Sequence, residues 1–388
     1  MTEKLYYIDS HMKAFTATVT SCEQNEDRFE VTLDRTAFFP EGGGQLGDSG
    51  VIGGVRVFDT HEKNGEIKHY VNQVLETGKT YDCAIDWETR FRRMQNHSGE
   101  HIVSGLVHKK YGYNNVGFHM GSDVVTIDFD GELSWEQLLE IEREANRAVA
   151  ANYKVTATFP AEDVLKTLEY RSKLELTENV RIVEIENTDI CACCAPHVNS
   201  TAEVGTVRIL TAERRRRGGD GVRITMLCGL DAFEHEVIID ANNAEVSTLL
   251  SAKRTETAAA VRRLLSENEK LKARAAELSR ELARIKAEAI EPTDGNICLF
   301  ENALDEPALR ALVNEAVKKC SGVAAVFSGS DEAGYRYIIG SRNIDLRKAS
   351  KSINSGISGR GGGSPEMIQG SCTACSLTIQ NFLTNFTV

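Results

Sequence analysis

Residues 86–112 read DWETRFRRMQNHSGEHIVSGLVHKKYG, and the organisation of the whole chain is built outward from them. The spacing predicts one helix, with Asp86 placed to cap its start and Gly112 to end it. Side chains four apart on a helix stand one above the other on the same face. His97, His101 and His108 therefore fall close to one azimuth, with Met94 and the small Gly105 between them. An H-x3-H pair supplies half of a metal site, so the helix needs a second pair of ligands from elsewhere. Just before the histidines, Arg90, Arg92 and Arg93 form a local basic patch.

The second pair lies in CACCAPH, residues 191–197, directly after a strand-like NVRIVEIEN. Cys193 and His197 form a C-x3-H pair, with Cys191 and Cys194 as rival ligands by proximity. His97, His101, Cys193 and His197 together offer three nitrogens and one sulfur, a tetrahedral set suited to zinc and unsuited to magnesium or calcium. The helix stretch also satisfies H-x-x-E-H, the inverted zinc-peptidase signature, with Glu100 as the base. That chemistry normally takes a carboxylate as third ligand and keeps a position open for water, which leaves a Cys–His pair superfluous.

A chain of 388 residues, 41% hydrophobic and 26% charged, has the balance of a globular protein with more than one core. It contains no run of 18 or more apolar residues, so no membrane-spanning helix is expected. The opening MTEKLYYIDSHMKAFTA lacks a basic-then-apolar leader, which points to a cytoplasmic protein. Its ten cysteines are then expected to be thiols. A net charge of −12 argues against unselective coating of nucleic acid, while leaving room for local patches such as Arg214 to Arg217.

The expected fold class is α+β. Residues 1–85 alternate as short strands, with FTATVT and RFEVTL flanking a turn, and suggest a small β-barrel. Residues 86–235 mix the histidine helix with strands and a second helix near 134–153, as in a compact α+β domain around a pocket. Residues 236–292 form a long helical, coiled-coil segment. Within it, Val261, Leu264, Asn268, Leu271, Ala275, Leu278, Leu282, Ile285 and Ala289 recur in steps of three and four. Its partner is either another chain or residues 232–250 of the same chain. Residues 293–388 read as a small α/β domain with a long glycine loop near its end.

HSGEH and CCAPH, preceded by TAFFPEGGGQLGDSG at 36–50, resemble the editing domain of alanyl-tRNA synthetase and of freestanding alanyl-tRNA editing proteins of the AlaX type. GISGRGGGSPEMIQGS at 356–371 resembles the glycine-rich motif of the DHH-associated C-terminal domain of those synthetases. The resemblance covers essentially the whole chain and matches the long freestanding form. It depart at two places: Ala195 and Pro196 stand where the family usually has glycine and threonine, and Ser364 stands where an arginine is usual. A proline before the last histidine is similar to the editing domain of threonyl-tRNA synthetase.

The resemblance implies a trans-editing hydrolase that uses Zn2+ and has no aminoacylation activity. Its substrate would be the ester of tRNA(Ala) carrying a wrong amino acid, chiefly serine or glycine. It selects Cys193 as the thiolate ligand and points to Thr36, Gly43, Gly44 and Gln45 for substrate. Charge and position assign Arg90, Arg92, Arg93, Arg215, Arg216 and Arg360 to tRNA. A homodimer through the coiled coil or the C-terminal domain is a further expectation. Competing readings are a deacylase of Ser-tRNA(Thr), a zinc-dependent tRNA-binding module without catalysis, and the peptidase.

Overall fold

The computed structural model describes residues 2–121, 123–172, 180–215 and 220–387, which divide into two compact units, Met1–Asn242 and Asn243–Val388. The first unit begins with a closed antiparallel barrel. Its strands run in the order Ala14–Asn25, Arg28–Leu33, Glu66–Val71, Val55–Lys63, Gly50–Ile52 and Thr80–Ile85, and the last pairs back onto the first. Its three hairpin turns use left-handed residues, Glu26 in the first, Gly53-Gly54 in the second and Asn64-Gly65 in the third. An Asn-Gly pair with positive φ at both positions matches the twist of the strands it joins. Val19, Val31, Leu33, Ile52, Val57 and Val71 alternate inward to fill the barrel.

The helix expected at 86–112 spans Trp87–Tyr111, and Gly112 ends it in the left-handed conformation at φ 74°. Asp86 stands at the N-cap position as expected, and its carbonyl oxygen accepts from the Arg90 N–H, but its side chain makes no capping hydrogen bond. Its carboxylate instead accepts from Ser49 Oγ at 2.6 Å and from Arg56. Residues Met94 to Gly105 are buried on every side of the helix. Small residues make that possible, because a Cβ on Gly99 would lie 2.2 Å from Cys228 Sγ and one on Gly105 would strike Asp189 and Thr188. One flank packs Met94, Ile102, Val103 and Val107 against Val125, Ile127, Leu138 and Ile141.

A four-stranded antiparallel sheet, ordered Val207–Arg214, Val222–Cys228, Val125–Phe129 and Asn115–Met120, supports this helix. The second helix, Trp135–Ala151, starts in a capping box between Ser134 and Gln137. A three-stranded sheet of Val155–Thr158, Ile182–Ile185 and Asp189–Ala192 delivers the cysteine loop.

Two helices follow, Gly229–Leu249 and Thr257–Ala289. In the second unit a five-stranded sheet runs in the order Ile297–Phe300, Val323–Ser330, Gly334–Ser341, Met367–Cys372 and Gly359–Gly363. The glycine stretch expected as a loop is therefore an edge strand. Close approach requires glycine at two of its positions: a Cβ on Gly361 would lie 2.3 Å from both the Gln369 carbonyl oxygen and Tyr337 Oη, and one on Gly363 would lie 2.3 Å from the Met367 carbonyl oxygen. Among the described residues no helix is long and apolar enough to cross a membrane.

Candidate metal centre

The Trp87–Tyr111 helix and the loop after Asp189–Ala192 bring His97, His101, Cys193 and His197 together, their ligand atoms all within 4.8 Å of one another. Cys193 Sγ lies 3.6 Å from His97 Nε2 and 3.4 Å from His197 Nε2. In a tetrahedral zinc site with ordinary Zn–S and Zn–N bonds, such a sulfur–nitrogen edge is about 3.5 Å. The donor set thus fits zinc in both chemistry and spacing.

Each imidazole turns Nε2 inward and engages Nδ1 with an orienting partner. His97 Nδ1 meets Gln45 Oε1 at 2.9 Å, His101 Nδ1 meets Asp189 Oδ2 at 3.0 Å, and His197 Nδ1 meets Ser98 Oγ at 3.0 Å. Partners of this kind fix the tautomer and aim the other nitrogen's lone pair at a metal. Asp189 is itself gripped by Arg171, whose Nε and Nη2 each donate at 2.7 Å. Arg181 donates to the carbonyl oxygens of Cys193 and Ala195, at 3.0 and 2.8 Å, and so sets the curve of the cysteine loop. Ser98, Arg171, Arg181 and Asp189 were not among the expected site residues. Ser98 and Asp189 sit next to or near the ligand motifs, but nothing in the sequence marks which neighbours face a ligand.

Burial pushes the Cys193 thiol up, yet the adjacent His97 and His197 imidazoles overcome this and hold it well below the ordinary thiol range. Cys191 is buried and its thiol is raised by desolvation. Cys194 is exposed. Of the three rivals, only Cys193 shares a cluster with all three histidines, while Cys191 lies with His101 and Asp189 alone.

Residues 36–48 wrap over the metal helix. Gly43 and Gly44, at φ 61° and 83°, form the tip of a tight turn in which Gly42 and Gln45 exchange backbone hydrogen bonds at 3.0 Å. Gln45 is fully buried beside His97, and its Nε2 has no hydrogen-bond partner. A buried amide donor left without a partner is costly in an otherwise paired interior, and it points to a group that arrives from outside.

Thr36 is also fully buried. Its Oγ1 lies 2.9 Å from His69 Nε2 and accepts from the Phe38 N–H at 3.1 Å. His69 Nδ1 faces the Val31 carbonyl oxygen at 2.9 Å, which can only accept, so Nδ1 carries the proton and Nε2 takes the Thr36 hydroxyl proton. Burial lowers the His69 pKa from 6.5 to about 4. A histidine with a depressed folded pKa stabilises the fold above its unfolded pKa, and loses that contribution as pH falls from there towards the folded value. Between pH 6.5 and about 4, His69 is expected to cost the fold about 3 kcal/mol. Urea melts should show this as a pH slope that becomes shallower in His69→Gln. Equal slopes in the two proteins would contradict it.

In the basic patch before the histidines, Arg90 cannot take the role expected of it. Arg90 is 1% exposed, donates through Nε to Asp48 Oδ2 at 2.8 Å, and also donates to the Ser10 and Ala37 carbonyl oxygens. Its donors are spent inside the protein, so it cannot grip a phosphate. Arg93 donates to the Gly47 carbonyl oxygen at 2.7 Å, while Arg92 is paired with Glu88, Asp231 and Glu234. Arg90 and Arg93 thus clamp the 36–48 segment against the helix that carries His97. Removing one partner of a buried ion pair leaves an uncompensated charge, so Asp48→Asn is expected to destabilise the fold by about 3 kcal/mol in denaturant melts. A loss below about 1 kcal/mol, as for a surface pair, would refute the clamp.

Of the other residues expected to meet tRNA, Arg216 lies outside the described residues. Arg360 is exposed on the C-terminal edge strand, opposite Ser371, whose other neighbour across the sheet is Arg336. His108, placed on the helix face shared with the ligands, is exposed and takes no part in the cluster.

Residues 180–225, which include Cys193 and His197, match the family model described as the threonyl and alanyl tRNA synthetase second additional domain. The chain is 30% identical to the alanyl-tRNA editing protein AlaX-L of Pyrococcus horikoshii, across 95% of this chain and 94% of that one. It is 33% identical to AlaX-M of Methanosarcina barkeri, across 58% of this chain and all of the relative. The alanine–tRNA ligase of Ignicoccus hospitalis is 29% identical across 93% of this chain, which spans 40% of that enzyme's length. With near end-to-end coverage of AlaX-L, and with the metal ligands and the glutamine turn converging on one centre, this chain belongs to the alanyl-tRNA editing proteins.

Proposed function

We propose that the chain is a trans-editing deacylase of the cytoplasm that hydrolyses the ester of mischarged tRNA(Ala), chiefly Ser-tRNA(Ala) and secondarily Gly-tRNA(Ala). The observation that carries this reading is the four-donor cluster with the unpartnered Gln45 Nε2 beside it. His97, His101, Cys193 and His197 would hold zinc, which supplies Lewis acidity and a fixed anchoring point; four protein donors fill a tetrahedral shell, so we assign it the anchoring role. Gln45 Nε2 is placed to donate to the ester carbonyl oxygen as negative charge develops there, or to the attacking water. The Gly43-Gly44 turn lets backbone approach the substrate without a Cβ in the way.

Thr36 gives its proton to His69 and receives one from Phe38 N–H, so its remaining capacity is that of an acceptor. That polarity suits a seryl hydroxyl, which donates, and leaves an alanyl methyl unread. Arg215 and Arg360 are the residues we assign to the tRNA backbone, with Arg336 beside Arg360 across Ser371. The peptidase reading is disfavoured because Glu100 is engaged within the core, accepting from Ser104 Oγ at 2.6 Å and from Asn115.

Deacylation of Ser-tRNA(Ala), Gly-tRNA(Ala) and Ser-tRNA(Thr) tests the substrate assignment. The reading expects both tRNA(Ala) esters to be cleaved and Ser-tRNA(Thr) to be spared. Preference for Ser-tRNA(Thr) would transfer the assignment to the threonyl system, in line with Pro196. Binding of tRNA and zinc without turnover would leave only a binding module.

A further inference from the structure

A crevice between residues 6–10 and the end of the cysteine loop is lined by Tyr7, Ser10, Thr156, Arg181, His197 and Asn199. Its volume is about 130 Å³, well below the roughly 300–1,000 Å³ of pockets that enclose a whole organic ligand. It therefore admits a small group and no complete nucleoside. The cation on its wall is Arg181, which is only 6% exposed.

Arg181 spends one end of its guanidinium inside the protein. Nη1 makes both bonds to the Cys193 and Ala195 carbonyl oxygens, and the Tyr7 ring covers one face, its centroid 5.1 Å from the guanidinium carbon. Nε and Nη2 make no hydrogen bond among the described residues. Those two N–H groups form the edge that grips a carboxylate or a phosphate with two parallel bonds. The carboxylate on the crevice wall, Asp9, is exposed and accepts from the His11 N–H at 2.8 Å. Buried charges are ordinarily paired, and burial here works against the guanidinium's charge. The neighbouring Cys193 thiolate does not compensate it once zinc is bound. Three neutral imidazoles and one thiolate leave that centre with a single positive charge of its own. The crevice thus offers a fork of donors, excess positive charge and room for one oxyanion.

We propose that Arg181 binds the phosphate of the nucleotide that carries the ester, the last nucleotide of the tRNA. The inference rests on the editing reading, which brings that nucleotide to the adjacent metal centre. In an aminoacyl ester the amino acid's own carboxylate is consumed, so the anion within reach is the terminal phosphodiester. A contact of this kind positions the substrate without reading its sequence.

Fluorescence anisotropy of the zinc-loaded, full-length protein with a deacylated tRNA(Ala) minihelix ending in CCA tests this without hydrolysis. Replacing the last phosphodiester by a neutral methylphosphonate is expected to weaken binding to wild type about tenfold, the worth of one charge-assisted contact. Arg181→Lys keeps the charge and a donor for the loop carbonyl oxygens but loses the fork. It should bind the unmodified minihelix about tenfold more weakly than wild type, and the methylphosphonate should then cost little more. Zinc content checks that the variant's loop is intact, and the comparison of the two RNAs on wild type stands without the variant. No difference between the two RNAs on wild type, or an equal loss on wild type and Arg181→Lys, would overturn the proposal. Inorganic phosphate bound at Arg181 while both RNAs bind alike would assign the crevice to a free anion instead. Discrimination between the RNAs with no hydrolysis of any mischarged ester would refute the editing reading and leave the phosphate contact standing.

Discussion

Cys193→Ala is expected to empty the metal centre and reduce hydrolysis of Ser-tRNA(Ala) by more than about a thousandfold, while the protein stays folded. Loss of an orienting partner around a metal typically costs about 10–100-fold, and loss of the only thiolate donor removes a direct bond as well. The three remaining imidazoles are buried and converge on one point, with ring centroids 4.7–5.5 Å apart. The loop itself does not depend on the thiol. Arg181 continues to hold the Cys193 and Ala195 carbonyl oxygens, and the Cys193 N–H continues to donate to the Arg181 carbonyl oxygen at 3.0 Å. Zinc stoichiometry and single-turnover rate should therefore fall together while the thermal transition persists. Cys194→Ala is the matched control, since its thiol lies outside the donor set, and it should retain the metal. Metal lost equally from both variants would mean that the loop, and not Cys193, binds it.

Gln45 carries the second large effect because its two amide atoms do different things. Oε1 orients His97, and Nε2 is the buried donor without a partner. Gln45→Leu removes both, and kcat is expected to fall about 10²–10³-fold, the cost of deleting one donor aimed at developing negative charge. Gln45→Glu separates the functions: a carboxylate still accepts from His97 Nδ1 but offers no N–H. The expected result is a protein that keeps its zinc and loses most of its turnover, with KM little changed. Full activity in Gln45→Glu would confine Gln45 to orienting His97.

The ligand motifs were legible in the sequence because helical spacing alone stacks His97 over His101, and a C-x3-H loop offers the complementary pair. The barrel was legible through its alternating short strands and the turn between FTATVT and RFEVTL. Burial was the hard part. The histidine helix carries Gln95, Asn96, Ser98, Glu100 and Ser104 on faces that a periodicity argument leaves in water. Each is buried because a specific partner waits for it, such as the Glu203 carbonyl oxygen for Gln95 Nε2 and the Cys228 N–H for Asn96 Oδ1. Those partners lie more than a hundred residues away in sequence.

The same cause misdirected the reading of Arg90. An arginine beside a metal motif suggests a phosphate grip, yet Asp48 and the Ala37 carbonyl oxygen supply partners that no local pattern reveals. The glycine stretch at 359–363 was read as a loop from composition. It is a strand because it pairs with Met367–Cys372, which with Tyr337 comes so close that only glycine fits at Gly361 and Gly363.

The His97, His101, Cys193 and His197 centre is assigned the hydrolysis of a mischarged tRNA ester. Its most direct test is single-turnover deacylation of Ser-tRNA(Ala) beside Ala-tRNA(Ala), using the wild-type protein and Cys193→Ala. Rapid loss of the seryl ester, a spared alanyl ester and an inert variant are expected. Equal cleavage of both esters, or a variant as fast as wild type, would contradict it.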